Sequence, residues 1–139
     1  MILDKLDSGD IAICVNYVCD EFELLGGDPK KVAAKMEYAM VGKTGWKVIS
    51  GGMIVGFAVV EDFGGSLLVT SLVVHREYRL GKVVWLLFSK VLEECGDRRL
   101  VYIPIHKNMW ASKLCSNGIV DKAKAIDWVK KMEVRYGRK

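Results

Sequence analysis

Two apolar, β-prone runs, residues 67–74 (LLVTSLVV) and 100–105 (LVYIPI), flank a segment of helical periodicity, and this order constrains the fold more than any other feature of the chain. Strands joined by a tight turn run antiparallel. Strands joined across a helix most simply lie parallel in one sheet, with the helix packed on a face. In full the unit reads strand, loop, helix, strand, helix: SLLVTSLVVH, REYRLG, KVVWLLFSKVLEEC, RRLVYIPI and HKNMWASKLCSNGI. A strand that runs into a turn and then a helix start presents unpaired N–H donors at the positive end of a helix dipole, which is how backbone alone holds an anion.

The segments before this unit alternate in period. Residues 2–6 suit a short first strand, and Asp7, Ser8 and Asp10 offer capping oxygens for a helix. Ile11, Val15, Val18, Cys19 and Phe22 then recur at three- and four-residue spacing, predicting a helix that ends near Gly26 and Gly27. Asp28 before Pro29 opens a second helix carrying Val32, Met36 and Met40 and stopping at Gly42. Residues 46–49 and 53–60 are extended runs around Gly51 and Gly52, a pair that accepts the positive φ of a tight hairpin. Gly64 and Gly65 turn the chain into the fourth strand, 67–74, which is apolar enough to predict cover on both faces. A helix over 81–94 and a fifth strand over 100–105 follow.

Beyond that strand, residues 107–116 suit a short helix ended by Asn117 and Gly118. The remainder reads either as two strands around Asp127 or as a last helix carrying Ile126, Val129 and Met132.

With 139 residues, 51% hydrophobic and 27% charged, the chain is expected to form one domain over 1–139, neither disordered nor a coiled coil. No window reaches the length of apolar sequence that spans a bilayer, and MILDKLDSGD lacks a signal-peptide layout, so a cytoplasmic protein without membrane association is expected. Cys14, Cys19, Cys95 and Cys115 read as free thiols, and their spacing does not suit a zinc site. The last nineteen residues hold seven basic and three acidic side chains, a surplus equal to the +4 of the whole chain. No helix-turn-helix, zinc-finger or base-stacking signature accompanies that tail, so nucleic-acid binding is the weaker reading of it.

The core at 66–119 resembles the GNAT acyl-CoA N-acyltransferases. The resemblance covers element order along nearly the whole chain and motifs at 66–119. It implies an α/β (α+β) fold with a mixed, mostly antiparallel sheet, parallel and splayed fourth and fifth strands, and flanking helices. It favours strands for the segment around Asp127, where the local pattern leans helical. In the family the fourth strand lends main-chain groups to the pantetheine arm, here Leu72, Val73 and Val74. A Q/RxxGxG/A loop then leads into the pyrophosphate helix. With Arg79 in the first position, Lys82 and Val84 stand where the small residues belong; with Gly81 as the glycine, Tyr78 and Val83 take the outer positions. Arg79, Leu80, Gly81, Lys82, Val83 and Val84 are therefore the expected phosphate-binding residues, with Asn108 added from a second landmark. That landmark comprises Asn108, Ala111, Leu114, Cys115, Gly118 and Ile119.

The resemblance also implies acetyl-CoA, or another acyl-CoA, as cofactor and an amine as acceptor, on a small molecule or a protein. A homodimer is a further implication. The family's usual tyrosine acid is replaced by Cys115, and His106, just after the fifth strand, is the candidate base that keeps the acceptor amine uncharged. His75, Ser71, Glu61, Asp62 and Glu77 are further polar candidates near the strand ends. The leading expectation is an N-acetyltransferase acting by direct attack in a ternary complex. The rival expectation is a catalytically weakened GNAT-like binding or structural protein of the kind found among phages.

Overall fold

A computed structural model describes residues 1–10, 12–14, 16, 43–78, 81–102 and 114–137. These form seven strands, β1 (Ile2–Lys5), β2 (Thr44–Ser50), β3 (Met53–Asp62), β4 (Ser66–Val74), β5 (Arg99–Tyr102), β6 (Cys115–Ser116) and β7 (Ile119–Val120). Two helices pack with them, α1 (Lys82–Cys95) and α2 (Lys122–Tyr136), and short 3-10 turns occupy Ser8–Asp10 and Arg76–Tyr78. The sheet order is β1-β2-β3-β4-β5-β7-β6. Every pairing is antiparallel except β4 with β5, which is parallel as the helical crossover requires.

The β2–β3 hairpin turns at Gly51 and Gly52, with φ of 58° and 78°, the pair of positive values that matches the twist of the flanking strands. Complete burial falls on β3 rather than on β4 as expected: Ile54 to Val60 are all buried, whereas β4 alternates buried and half-buried positions. The reason is position, since β3 takes the middle of the β2–β3–β4 antiparallel unit and meets α1 directly.

α1 lays Val83, Leu87, Phe88, Val91 and Cys95 on the sheet, the stripe that its 3.6-residue period dictates. Each large apolar side chain so buried contributes about 1.5–3 kcal/mol. They join Trp46, Val48, Val55, Ala58, Val69 and Leu100 in one core.

The carboxy-terminal third differs from the sequence expectation. Cys115 and Ser116 are strand, not the end of a helix, and they pair with Ile119 and Val120 across the Asn117–Gly118 turn. The region around Asp127 is the helix toward which the local pattern leans, not the two strands that the resemblance favours. The Asp121 carboxylate caps α2 by accepting from the Lys124 N–H at 3.2 Å, and a helical stripe carries Ala125, Trp128 and Val129 onto the core. Two-residue strands suffice here because α2 supplies the cover that longer strands would need. Residues 12–14 and 16 are helical, in the segment where the first helix was expected; the rest of that helix, the second helix and the Lys107 end of the short helix lie outside the described residues.

Candidate cofactor and active site

The parallel pairing of β4 and β5 runs from Ser66–Arg99 to Val69–Tyr102, and β4 then continues to Val74. The expected divergence of the two strands falls on residues 103–105, outside the described set. Against β3 the register of β4 shifts: Val59 faces Ser71 while Val60 faces Val69, so Thr70 is an extra residue, a β-bulge. Its hydroxyl donates to the Val59 carbonyl at 3.1 Å. Leu72 and Val73 are half-buried and Val74 is buried, so the strand end presents main chain and apolar side chains rather than charge.

The chain leaves β4 at His75, whose N–H donates to the Val55 carbonyl at 2.8 Å. Its Nδ1 accepts from the Glu77 N–H at 3.3 Å, and its ring lies edge-on to Tyr78 at 5.9 Å. His75 thus organises the 3-10 turn, which leaves Nδ1 committed and makes it a poor general base. Glu61 is ion-paired with Lys43, and Asp62 with Arg98 at 2.8 Å while also accepting from the Gly64 N–H. Both acids hold turns in place. Ser71 is buried and Glu77 exposed.

α1 begins at Gly81, which has φ of 110° and no side chain to cap the helix. At this helix start the Trp85 N–H donates to the Gly81 carbonyl at 2.8 Å. Val83 is fully buried, with its side chain turned to the sheet beneath Gly56. Lys82 and Val84 are half-buried, with Val84 packed against the core.

A feature that the sequence reading missed sits at the same place. A Cβ on Gly81 would stand 2.2 Å from the Tyr136 hydroxyl, so the only glycine of the loop makes room for α2. The Tyr136 ring is 5.9 Å from that of Trp85, and the Trp85 indole N–H donates to the Val129 carbonyl at 3.2 Å. The signal was present in the helical spacing of Ala125, Val129, Met132 and Tyr136.

Cys115 is half-buried on β6 opposite Val120, and burial raises its thiol above the ordinary value of 9.0. A protonated thiol can donate a proton but is a poor nucleophile. Arg79, Leu80, His106 and Asn108 lie outside the described residues. Among the described residues, Cys14, Cys95 and Cys115 are free thiols, no group of three or more His, Cys, Asp or Glu is placed to hold a metal ion, and no helix is long and apolar enough to cross a membrane.

The same overall fold recurs in solved structures, at TM-scores of 0.57, 0.63 and 0.62 for three of them. The fold is that of the GNAT N-acyltransferases. One GNAT structure it resembles is the aminoglycoside 6'-N-acetyltransferase of Enterococcus faecium, at TM-score 0.57 and 18% identity over 73% of this chain and 60% of that one. An aminoglycoside 6'-N-acetyltransferase complexed with coenzyme A gives 0.58 and 17%, over 73% and 61%. The ribosomal-protein-alanine N-acetyltransferase of Brucella melitensis biovar Abortus 2308 gives 0.62 and 15%, over 82% and 86%. The chain thus spans about three fifths of the length of the aminoglycoside enzymes, and most of the Brucella one. No family model matches the sequence, and no curated protein matches it. The likeness to GNAT proteins is therefore one of fold.

Proposed function

We propose that the chain is an acyl-CoA-dependent N-acyltransferase that moves an acetyl group from acetyl-CoA to an amine. The observation that carries this reading is the strand-to-helix step of a GNAT fold: β4 ends at Val74 and α1 starts at Lys82, and a helix start presents N–H groups and the positive end of its dipole to an anion. Main-chain donors do not depend on the glycines that the loop has lost, and Lys82 adds a cation there. In this reading Leu72, Val73 and Val74 line the pantetheine arm with main chain. Arg79, Leu80, Gly81, Lys82, Val83 and Val84 hold the pyrophosphate, and Asn108 contacts the cofactor.

The amine nitrogen attacks the thioester carbonyl, the carbon–sulfur bond breaks, the thiolate takes up a proton and the new amide nitrogen loses one. His106 is the proposed base and Cys115 the proposed acid, the latter supported by a thiol that burial keeps protonated. The acceptor is an amine on a small molecule or a protein, as in the two kinds of GNAT enzyme the fold resembles, and the protein works in the cytoplasm, with a homodimer as its expected assembly.

Titration with acetyl-CoA and desulfo-CoA by calorimetry, with melting temperature followed in parallel, tests the reading. A ligand that binds only the native state at a hundred times its Kd adds about 2.7 kcal/mol of stability. The absence of both heat and a melting shift at millimolar cofactor would falsify the proposal.

A further inference from the structure

The hairpin of β6 and β7 turns on Asn117 and Gly118, with φ of 53° and 80°. Among the described residues Asn117 is the one non-glycine residue at positive φ, which a two-residue turn of this kind requires at both of its positions. Asn117 is exposed, and β6 comes last in the order of the sheet. Two residue pairs, Cys115 with Val120 and Ser116 with Ile119, hold the arms together at the tip. The base is firmer. Leu114 and Val120 are buried, the Asp121 N–H donates to the Leu114 carbonyl at 2.8 Å, and the Tyr102 N–H ties β7 to β5 through the Gly118 carbonyl at 2.8 Å.

We propose that the Asn117–Gly118 turn is a self-modification site, where the Gly118 nitrogen attacks the Asn117 carboxamide and residue 117 becomes isoaspartate or aspartate. Gly118 has no Cβ to shield its nitrogen. Asn16 and Asn108, the other asparagines of the chain, precede Tyr17 and Met109, whose side chains crowd the same attack. A hairpin tip held by two pairs opens locally at little cost, which lets the two groups meet. The Gly118 amide gives its proton to hydroxide, the nitrogen bonds to Asn117 Cγ, the Cγ–Nδ2 bond breaks, and Nδ2 leaves as ammonia with a proton from water. Water then opens the five-membered imide. Addition at the main-chain carbonyl leaves the chain running through Cβ and Cγ, which is isoaspartate; addition at Cγ gives aspartate. One water is consumed, one ammonia is released, and nothing is oxidised or reduced.

Isoaspartate inserts an extra backbone atom into a turn whose length sets the register of both arms. Cys115 can then no longer stay opposite Val120, nor Ser116 opposite Ile119, so β6 separates from β7 and half-buried Cys115 is uncovered. The inference does not depend on the acyl-CoA reading.

The test holds the folded wild-type chain and Asn117→Gly at mildly alkaline pH, with tryptic digestion at intervals. In the wild-type chain the peptide 114–122 should gain the mass of an amide-to-acid exchange, split into two chromatographic forms and accept methyl groups from an isoaspartyl methyltransferase. It should change severalfold faster than the peptides that hold Asn16 and Asn108, and faster still as pH rises, because the attacking nitrogen must lose its proton. Iodoacetamide labelling of Cys115 should quicken in step with the conversion. In Asn117→Gly, which keeps glycine at both positive-φ positions and has no Cγ to attack, labelling should stay constant through the incubation. A peptide 114–122 that stays unchanged in the folded chain, while it converts in urea, overturns the proposal, since the native turn would then protect Asn117. Equal conversion at all three asparagines also overturns it. Conversion with no change in Cys115 labelling overturns the release of β6.

Discussion

The Lys47 ammonium and the Asp10 carboxylate lie 2.6 Å apart, with each residue no more than 9% exposed, so the 3-10 turn at the start of the chain is riveted to the second strand by a buried ion pair. Burial alone would raise the Asp10 carboxyl, but the hydrogen bond from Lys47, the Asp7 N–H at 3.0 Å and the Lys47 charge outweigh it and hold the group below its ordinary value. Lys47 is pushed up, first by its hydrogen bond to Asp10, against the opposing effect of burial. Removing one partner leaves the other charge buried and unpaired, so Lys47→Met is expected to cost about 3–5 kcal/mol by chemical denaturation. Lys47→Met combined with Asp10→Leu should recover most of that loss.

The same pair sets the pH limits of stability. Asp10 has a depressed native pKa, so its contribution is present above the ordinary 3.8 and is lost as pH falls through the lower native value. Lys47 has a raised one, so its contribution is present below 10.5 and is lost as pH rises through the higher native value. Denaturation curves in Lys47→Met with Asp10→Leu should be flatter at both extremes than those of the wild-type chain; equal slopes would reject the assignment.

A second contact places α1. A Cβ on Gly56 would stand 2.6 Å from the Val83 Cγ1 and 3.2 Å from the Val73 carbonyl, so β3 carries glycine where the helix presses on the sheet. Gly56→Ala is expected to destabilise by about 1–3 kcal/mol through overpacking. It should also weaken coenzyme A binding, because the amino end of α1 is pushed off the sheet. Adding Val83→Ala relieves the clash and should restore part of both quantities; a double variant no better than the single one would show that the contact is not what places the helix.

Phosphate recognition by backbone and cations has a salt signature. Lys82→Ala should weaken coenzyme A binding severalfold and make the remaining affinity less sensitive to sodium chloride, since one charged contact is gone. Affinity independent of salt in the wild-type chain would place the phosphates elsewhere.

The thiols make a chemical prediction. Burial, with a smaller push from the Asp10 charge, raises Cys14 to about 12, and burial raises Cys95 and Cys115 as well. Alkylation of these three by iodoacetamide at pH 8 is expected to be slower than that of an unfolded control, and the rate at half-buried Cys115 should climb with pH before that at Cys14 does. If Cys115 is the acid, Cys115→Ala lowers kcat with little change in KM.

Local pattern carried much of this protein. Alternation and β-branched runs marked β2, β3 and β4, the Gly51–Gly52 pair marked their hairpin, and the crossover from Val74 through α1 to Arg99 implied the parallel pair that defines the fold. These features depend on neighbours a few residues apart, which is the range over which periodicity and turn chemistry act. Periodicity says which side of a segment is buried but not what buries it. That Lys47 would point into the protein and meet Asp10, thirty-seven residues away, was decided only by the sheet that brings them together. The stripe through Trp128 and Tyr136 was legible as helix, yet its partner is α1, and only that packing puts the Tyr136 hydroxyl over Gly81. The strand-to-helix turn after Val74 was thus visible in the sequence, while the tertiary structure alone decided that Tyr136 of α2 lies against its Gly81.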